Sequence, residues 1–300
     1  MLRKHAGQQP VRRDSFYAPA VLAFSLILAC LWTPGALSGS SVRQPTIAII
    51  IDDMGNSYQN GLDVINMPYP LTLAFLPERQ HTASLSKKAH ERNKEIILHA
   101  PMENILGLGL GAGALTSGMS EMEIKHSLLA SLGKIPYAVG VNNHMGSKLT
   151  ADTQAMRWVM EQLREYPIYF VDSRTSPLSV AAKTANHYQI PHLSRDVFLD
   201  HQQTRQFVQQ QFIKLLKLAR KNGTAVAIGH PHRVTIDYLD WALPKLDERG
   251  FRIATVSSLW QIKHPRQTMF ANRKGPQGKL ALASPYQSGK GTETTSPHHP

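Results

Sequence analysis

The sequence predicts an α/β fold in which a parallel sheet closes into a (β/α) barrel. Strand-like segments alternate with helix-like segments from residue 46 to residue 262, and this alternation is typical of parallel sheets. Seven or eight such units favour a closed barrel over an open doubly wound sheet. Charged or imidazole side chains follow nearly every strand, and in such folds the reactive groups collect at these strand ends.

Short apolar runs with turn residues at their ends define the strands. The first run ends in two aspartates and is followed by a glycine, which is typical of a buried parallel strand that meets a loop. We expect seven strands, at residues 46–51, 71–76, 95–99, 137–142, 168–172, 224–229 and 251–256.

Helical periodicity fills the intervals between the strands. Ser120 and Glu123 form a capping box at the start of the third helix. Gly223 and Gly250 stand where helix C-caps belong, each before a strand. We expect helices at residues 57–66, 82–93, 120–132, 152–166, 176–188, 203–222 and 235–249.

The formal charge of the 300-residue chain is +12, and it is concentrated at the termini. Residues 1–20 carry +3 and residues 263–300 carry +5, which leaves +4 for the rest. That remainder, without interleaved basic and aromatic residues, argues against nucleic-acid binding. The basic termini could make weak contact with an anionic membrane surface, although a solvated tail is the simpler interpretation.

The N-terminal residues have the composition of an export signal. A basic segment precedes the apolar run at 21–32, which is short for a bilayer span and suits a signal peptide. Cleavage after Ser38 is expected, and an uncleaved signal-anchor is the alternative. We therefore expect a periplasmic or cell-envelope protein, which an uncleaved signal would hold to the membrane. Cys30 is the only cysteine, so the mature domain would lack thiols.

This interpretation divides the chain into four parts. Residues 1–38 form the signal peptide or anchor, residues 39–45 a short linker and residues 46–262 the barrel domain. Residues 263–300 are rich in Pro, Ser, Gly, Thr and Lys, and are expected to be a disordered basic tail.

Asp52 and Asp53 are the most informative residues of the chain. Two adjacent like charges are costly unless a cation or a shared proton compensates them. A carboxylate on a metal ion and a second one near its water would satisfy this requirement. The alternative is a structural role as a helix N-cap, for which Asp is well suited.

Further polar groups follow later strands and could meet the aspartates at one edge of the sheet. They are His99, Glu103, Asn143, His144, Asp172, Arg174, His230 and His232. One carboxylate with two imidazoles and an open position fits a catalytic Zn²⁺ site. The ion would polarise a carbonyl and lower the pKa of a bound water to about 7. The second carboxylate could act as general base and a further histidine as general acid.

Four motifs in order resemble the divergent polysaccharide deacetylases, which are exported bacterial proteins related to the NodB-type carbohydrate esterases. The motifs are Ile-Ile-Asp52-Asp53-Met-Gly, Leu98-His99-Ala-Pro-Met-Glu103, Asn143-His144-Met-Gly-Ser147 and Ile228-Gly-His230-Pro-His232. The resemblance covers about residues 45–262 and implies a single domain with the fold of a distorted (β/α)7 barrel.

The resemblance also implies roles for individual residues. It makes Asp52 the catalytic base, Asp53 and His99 ligands of a divalent metal, which we expect to be Zn²⁺, and His230 the catalytic acid. Glu103 occupies the place of the family's second metal histidine, and the family's Arg-Pro motif is absent. We expect His144, at the end of the next strand, to supply the third ligand, with His232 and Glu103 as its competitors.

The remaining polar residues are expected around that centre, in contact with substrate or with the ligands: Glu103, Asn143, Asp172, Arg174 and His232. The function implied is removal of N-acetyl groups from an envelope polysaccharide. The alternative is a catalytically silent protein that binds envelope glycans or acts as a scaffold on the same fold.

Overall fold

The computed structural model describes residues 44–270, which belong to one compact unit. The predicted export segment lies outside the described residues, as do residues 39–43 of the linker and the predicted tail from residue 271. Within the described range no helix is both long and apolar enough to cross a bilayer.

Within residues 44–270, nine strands form one sheet in which every pairing is parallel. In chain order they are β1 Thr46–Met54, β2 Thr72–Phe75, β3 Glu95–Met102, β4 Gly140–Met145, β5 Tyr169–Asp172, β6 His192–Ser194, β7 Val197–Phe198, β8 Thr224–Gly229 and β9 Arg252–Ile253. The order across the sheet is β6-β5-β4-β3-β2-β1-β8-β7, and β9 pairs with the start of β1. The sheet curls into a partial barrel, as expected for a distorted (β/α) barrel.

Eight α-helices cover the sheet in the described residues. They are α1 Tyr58–Asn66, α2 Thr82–Glu91, α3 Glu121–Gly133, α4 Thr153–Arg164, α5 Ala181–His187, α6 Arg205–Asn222, α7 Arg233–Ala242 and α8 Val256–Lys263. The capping box of Ser120 and Glu123 is formed at the start of α3. Gly223 ends α6 in the left-handed conformation, with φ of 81°.

The core has two layers because side chains on a strand alternate between the faces of the sheet. In β1, Ile47, Ile49 and Ile51 pack against the helices. Ala48 and Ile50 point into the barrel. The interior cluster also receives Val256, Leu259 and Trp260 of α8, which crosses the end of the barrel where the strands begin.

Several strands reach further than predicted at their C-terminal ends. β1 and β3 each continue three residues beyond the predicted 46–51 and 95–99, and β4 occupies 140–145 instead of 137–142. Pairing explains the extension of β3 and β4, since Pro101 and Met102 remain in register with His144 and Met145. The site residues on these strands are therefore held by the sheet and not by loops.

Two predicted helices are shorter than expected. The segment 176–188 is helical only in α5, because its first residues form a loop in which Ser176 and Ser179 side chains accept backbone N–H bonds. The segment 235–249 ends as α-helix at Ala242, followed by a 3-10 turn at Leu243–Lys245, since Pro244 has no N–H to continue the ladder. Gly250 has φ of 73° but does not cap α7.

The predicted strand 251–256 is wrong in its second half. Only Arg252–Ile253 pair with β1, and α8 begins at Val256. Thr255 caps that helix by accepting a bond from the N–H of Ser258, a common N-cap arrangement. After α8 the described chain continues to residue 270, and Met269 packs against the interior cluster.

Candidate metal centre

The candidate site lies at the C-terminal ends of β1, β3, β4 and β8. Asp52 and Asp53 lie in β1, His99 in β3 and His144 in β4, whereas His230 directly follows β8. The structure thus brings together residues that are as far apart as 178 positions in the sequence.

A bulge in β1 directs both aspartates to the same place. The pairing of β1 with β2 shifts its register between Ile51 and Met54, and Asp53 has a left-handed φ of 56°. A bulge of this kind bends a strand and redirects a side chain. Asp52 Oδ2 lies 3.6 Å from His99 Nε2, and Asp53 Oδ1 lies 3.3 Å from the same nitrogen. Both carboxylates therefore face one imidazole.

Three potential ligand atoms form a nearly equilateral triangle. Asp53 Oδ1 lies 3.0 Å from His144 Nδ1 and 3.3 Å from His99 Nε2. The two imidazole nitrogens are 3.1 Å apart. In a tetrahedral zinc site with bonds of 2.0–2.1 Å, ligand atoms are roughly 3.3 Å apart. The triangle therefore has the dimensions of three ligands of one ion.

The polar chemistry of these atoms also fits a cation. Asp53 Oδ1 is buried and faces the two imidazole nitrogens at 3.0 and 3.3 Å, yet it makes no hydrogen bond of good geometry within residues 44–270, which is unusual for a carboxylate oxygen. The Asp53 side chain is nevertheless 27% exposed, so the group is open to solvent on one side. Three protein ligands with one open position are the arrangement of catalytic zinc sites. The residues present fit a divalent metal.

The two aspartates have opposite pKa shifts although they are adjacent. Burial raises the pKa of Asp52 above its ordinary value, against the opposing effects of His99, His230 and Asn142. For Asp53, burial is outweighed by contacts with His144 and His99, which hold its pKa well below the ordinary value. Asp53 is therefore the anionic ligand candidate, and Asp52 is the better proton acceptor.

Asn142 is a central residue that the sequence analysis did not select. It is completely buried. Its amide lies between His99 Nδ1, at 2.8 Å, and Asp52 Oδ1, at 2.7 Å. Its position opposite His99 in the β3–β4 register places the two side chains on one face of the sheet. The neighbouring Asn143, which was selected, bonds instead to Met145 O and to the N–H of Ser173.

A second group of ionisable residues consists of Asp200, His230 and His232. Asp200 Oδ1 lies 3.0 Å from His230 Nδ1, and Asp200 Oδ2 accepts bonds from the His230 N–H and the Thr235 hydroxyl. Burial opposes protonation of His230, but the bond to Asp200 and the nearby carboxylates outweigh it and raise its pKa to about 9. Asp200 was missed because it follows β7, a two-residue strand.

The aromatic ring of Phe198 borders this second group. It makes an edge contact with His230, with ring centroids 5.3 Å apart, and carries the guanidinium of Arg195 at 5.2 Å from its centroid. Arg195 in turn donates to the carbonyl oxygens of Ser173 and Arg174. Arg195, after β6, therefore connects Phe198 beside the site to the loop that follows β5.

Glu103 does not lie with the ligand triangle. Its carboxylate accepts bonds from the N–H and the hydroxyl of Ser117 and forms an ion pair of 2.7 Å with Lys148. These contacts lower its pKa to about 2. Glu103 thus connects the loop after β3 to the end of β4. The third position of the ligand triangle is occupied by His144 and not by Glu103.

The other predicted neighbours of the centre also make local contacts. Asp172 accepts bonds from the Arg174 N–H and the Ser179 hydroxyl. Arg174 is exposed and has a left-handed φ of 48°. His232 precedes α7, and its Nε2 lies 3.1 Å from Gln203 Nε2. Their contact with a substrate stays a prediction.

A cavity of about 870 Å³ lies elsewhere, between β6, β8 and α8, and is lined by His192, Thr224 and Trp260 among others. None of the predicted site residues lines it. The candidate metal centre at the strand ends is therefore separate from this cavity.

Comparisons with known proteins agree with these motifs. The sequence pattern of the family "Divergent polysaccharide deacetylase" matches residues 49–260. The chain is 37% identical over 230 residues to "Uncharacterized protein YibQ" of Escherichia coli (strain K12), covering 77% of this chain and 68% of that protein. It is 34% identical over 221 residues to an uncharacterized protein of Haemophilus influenzae, covering 74% and 79% respectively.

A solved structure has the same fold. The uncharacterized protein ATU2773 of Agrobacterium tumefaciens superimposes with a TM-score of 0.70 at 26% sequence identity, covering 73% of this chain and 91% of that one.

Proposed function

The chain belongs to the divergent polysaccharide deacetylase family, and from this premise we propose that it is an exported, metal-dependent hydrolase. In this proposal it removes N-acetyl groups from a polysaccharide of the cell envelope. The observation that carries the proposal is the triangle of Asp53 Oδ1, His99 Nε2 and His144 Nδ1, with edges of 3.0, 3.1 and 3.3 Å.

Asp53, His99 and His144 would hold the metal in this proposal. A divalent ion such as Zn²⁺ supplies Lewis acidity, which polarises the acetamide carbonyl and stabilises negative charge on its oxygen. The role of the protein is to fix the three ligand atoms and to leave one side open to the substrate.

In this proposal Asp52 accepts a proton from the attacking water. Its Oδ1 is bonded to Asn142, so its Oδ2 remains available, 3.6 Å from His99 Nε2. Burial raises the pKa of Asp52, and a raised pKa makes a carboxylate a better base near neutral pH.

In this proposal His230 protonates the leaving nitrogen. Its raised pKa of about 9 keeps it protonated at neutral pH, and Asp200 holds its ring through Nδ1. When the C–N bond breaks, the acyl group leaves as acetate, and the sugar nitrogen takes the proton of His230 and departs as an amine.

Location in the periplasm or envelope belongs to the same proposal and depends on residues 1–38, which the structure does not describe. Fractionation of cells that express a C-terminally tagged chain tests it. A cleaved, soluble periplasmic product supports a signal peptide, and a full-length membrane-bound product supports a signal-anchor. Retention of the full-length chain in the cytoplasm would contradict export.

The decisive experiment measures metal content and acetate release from N-acetylated glycans. We expect purified protein, after Zn²⁺ reconstitution, to release acetate in a chelator-sensitive reaction. Asp52→Asn should bind metal without turnover, and Asp53→Asn should lose both. Wild-type protein that stays metal-free and inert after reconstitution would overturn the enzyme proposal and favour the silent glycan-binding or scaffolding alternative. Calorimetry with glycan fragments, with and without chelator, then tests that alternative.

A further inference from the structure

We infer that Asn142 is a positioning residue whose single amide group fixes His99 as a metal ligand and Asp52 as a base in one linked arrangement. The inference deepens the proposed function and rests on its metal centre. It starts from a completely buried side chain that contacts both residues, at 2.8 Å on one side and 2.7 Å on the other.

The position of Asn142 follows from the sheet. It lies on β4, directly opposite His99 of β3 in the parallel register. Asp52 lies on β1, and β2 and β3 separate β1 from β4. The amide of Asn142 therefore reaches across the barrel, and it joins two strands that do not pair with each other.

The direction of the first hydrogen bond follows from His99. Its Nε2 faces Asp53 Oδ1 and His144 Nδ1, so that nitrogen must present a lone pair to a metal. A neutral imidazole then carries its hydrogen on Nδ1. The His99 Nδ1–H donates to Asn142, and the atom of Asn142 that receives it must be the carbonyl oxygen Oδ1.

The direction of the second hydrogen bond follows from the first. With Oδ1 on His99, the amide nitrogen Nδ2 points to Asp52 and donates to its Oδ1. The second hydrogen of Nδ2 faces the Ser173 hydroxyl at 3.4 Å. The flipped amide would place a donor against the His99 N–H and an oxygen against the carboxylate. Only one orientation satisfies both neighbours.

This arrangement assigns separate tasks to the two oxygens of Asp52. Oδ1 is held by Asn142, whereas Oδ2 has no hydrogen bond from Asn142 and lies nearer the ligand triangle. Because one amide serves both contacts, a change that rotates it disturbs the metal ligand and the base together. Partners of metal-bound histidines have large effects on affinity, about 10–100-fold when removed.

A pair of variants at the same position separates the two contacts. Asn142→Leu removes both bonds, and we expect Zn²⁺ affinity to fall about 10-fold or more. Asn142→Asp keeps an acceptor for the His99 N–H but replaces the donor to Asp52 with a like charge. We expect it to retain Zn²⁺ affinity within about 3-fold while kcat falls more than 10-fold, in line with the loss of a positioned base. Calorimetry measures the affinity, and circular dichroism confirms the fold.

Equal loss of Zn²⁺ affinity in both variants, or wild-type affinity in Asn142→Leu, would overturn the inference. If Asn142→Leu does not fold, nitrogen-15 NMR of the wild-type histidines gives an independent answer. We expect the His99 hydrogen on Nδ1 in the zinc-loaded protein, and finding it on Nε2 would also overturn the inference. Zinc binding with this tautomer but without acetate release would refute the proposed activity, and with it the role of Asn142 toward Asp52 as a base, while its role toward His99 would stand.

Discussion

Asp53 combines an unusual backbone conformation with a carboxylate that faces two imidazoles. Its φ of 56° lies in the left-handed region, which Asp and Asn adopt more readily than other non-glycine residues. Asp53→Asn therefore keeps the bulge while it removes the negative charge. This makes it a better probe of metal binding than substitution by a β-branched residue, which would also strain the strand.

We expect alanine substitution of Asp53, His99 or His144 to lower Zn²⁺ affinity by at least about 10-fold, since all three lie in the ligand triangle. His232→Ala and Glu103→Ala should change it much less, because Glu103 is engaged by Ser117 and Lys148 and His232 belongs to the other group. Metal competition with a coloured chelator measures the series. Loss of binding in Glu103→Ala or His232→Ala, but not in His144→Ala, would reassign the third ligand.

The pH dependence of turnover should report the His230–Asp200 pair. His230 acts as an acid in its protonated form, so kcat should fall as pH rises through about 9. Asp200→Asn removes the carboxylate that raises this pKa, so the alkaline limb should move to lower pH. NMR titration of the His230 ring gives the same pKa without turnover. An unchanged His230 titration in Asp200→Asn would show that the pair does not set the pKa.

At the scale of elements, β4 and β5 pass each other closely at Gly140. A Cβ atom on Gly140 would lie 2.5 Å from a ring carbon of Tyr169 and 2.9 Å from Cγ2 of Ile97. Tyr169 cannot withdraw easily, because it is buried and its hydroxyl donates to Glu95.

Gly140→Ala should therefore destabilise the protein by about 1–3 kcal/mol, the usual cost of overpacking a core. Gly133→Ala is the matched control, since no atom lies within 4 Å of its added Cβ and it stands at the end of α3. Urea denaturation compares the two free energies of unfolding. Equal stability of the two variants would mean that the sheet relaxes around the added methyl group.

The contacts of Glu103 join the loop after β3 to β4 and make the connection sensitive to acid. Its pKa is lowered from 4.5 to about 2 by Lys148 and Ser117. A carboxylate whose pKa is lower in the folded state stabilises the fold at pH values above its unfolded pKa, which is near 4.5. This contribution decreases below pH 4.5 and is lost as the pH falls through the folded pKa of about 2.

Glu103→Gln should consequently lower the free energy of unfolding by about 1 kcal/mol at pH 6. This difference from wild type should be smaller at pH 3. Urea denaturation at the two pH values measures this change. Glu78→Gln, on an exposed loop, is the control and should leave stability unchanged. A difference for Glu103→Gln that is constant from pH 6 to pH 3 would show that the carboxylate charge is not responsible.

At the scale of the whole molecule, the two ends of the barrel have separate tasks. α8 closes the end where the strands begin, through Trp260 in the interior and the Ser257 bonds to Glu95. The ligand triangle lies at the opposite ends of the strands. Trp260→Ala should lower the free energy of unfolding by about 3 kcal/mol and leave Zn²⁺ affinity unchanged. Thermal unfolding and calorimetry test the two statements, and a parallel loss of zinc binding would contradict the separation.

The alternation of strands and helices was predictable because most elements are long enough to show a period. β6 and β7 were not, since they have three and two residues and are strands only because β5 and β8 pair with them. Asp200 was missed together with β7. The Asp53, His99 and His144 group was anticipated from strand ends, and their proximity is confirmed. Asn143 was chosen instead of Asn142 because the sequence does not show which of two adjacent amides faces the site, and this depends on the register opposite His99.

The order of strands also constrains how the chain can be made. One edge of β1, from Thr46 to Ile51, pairs with β8 at Thr224 to Gly229. A ribosome synthesises β1 first, so this edge lacks its β8 partner until residues 224–229 have been made. An unpaired edge of buried isoleucines is a template for aggregation. Until β8 is made, this edge of β1 stays open to pairing with other chains, and His230, directly after β8, joins the site only at that moment.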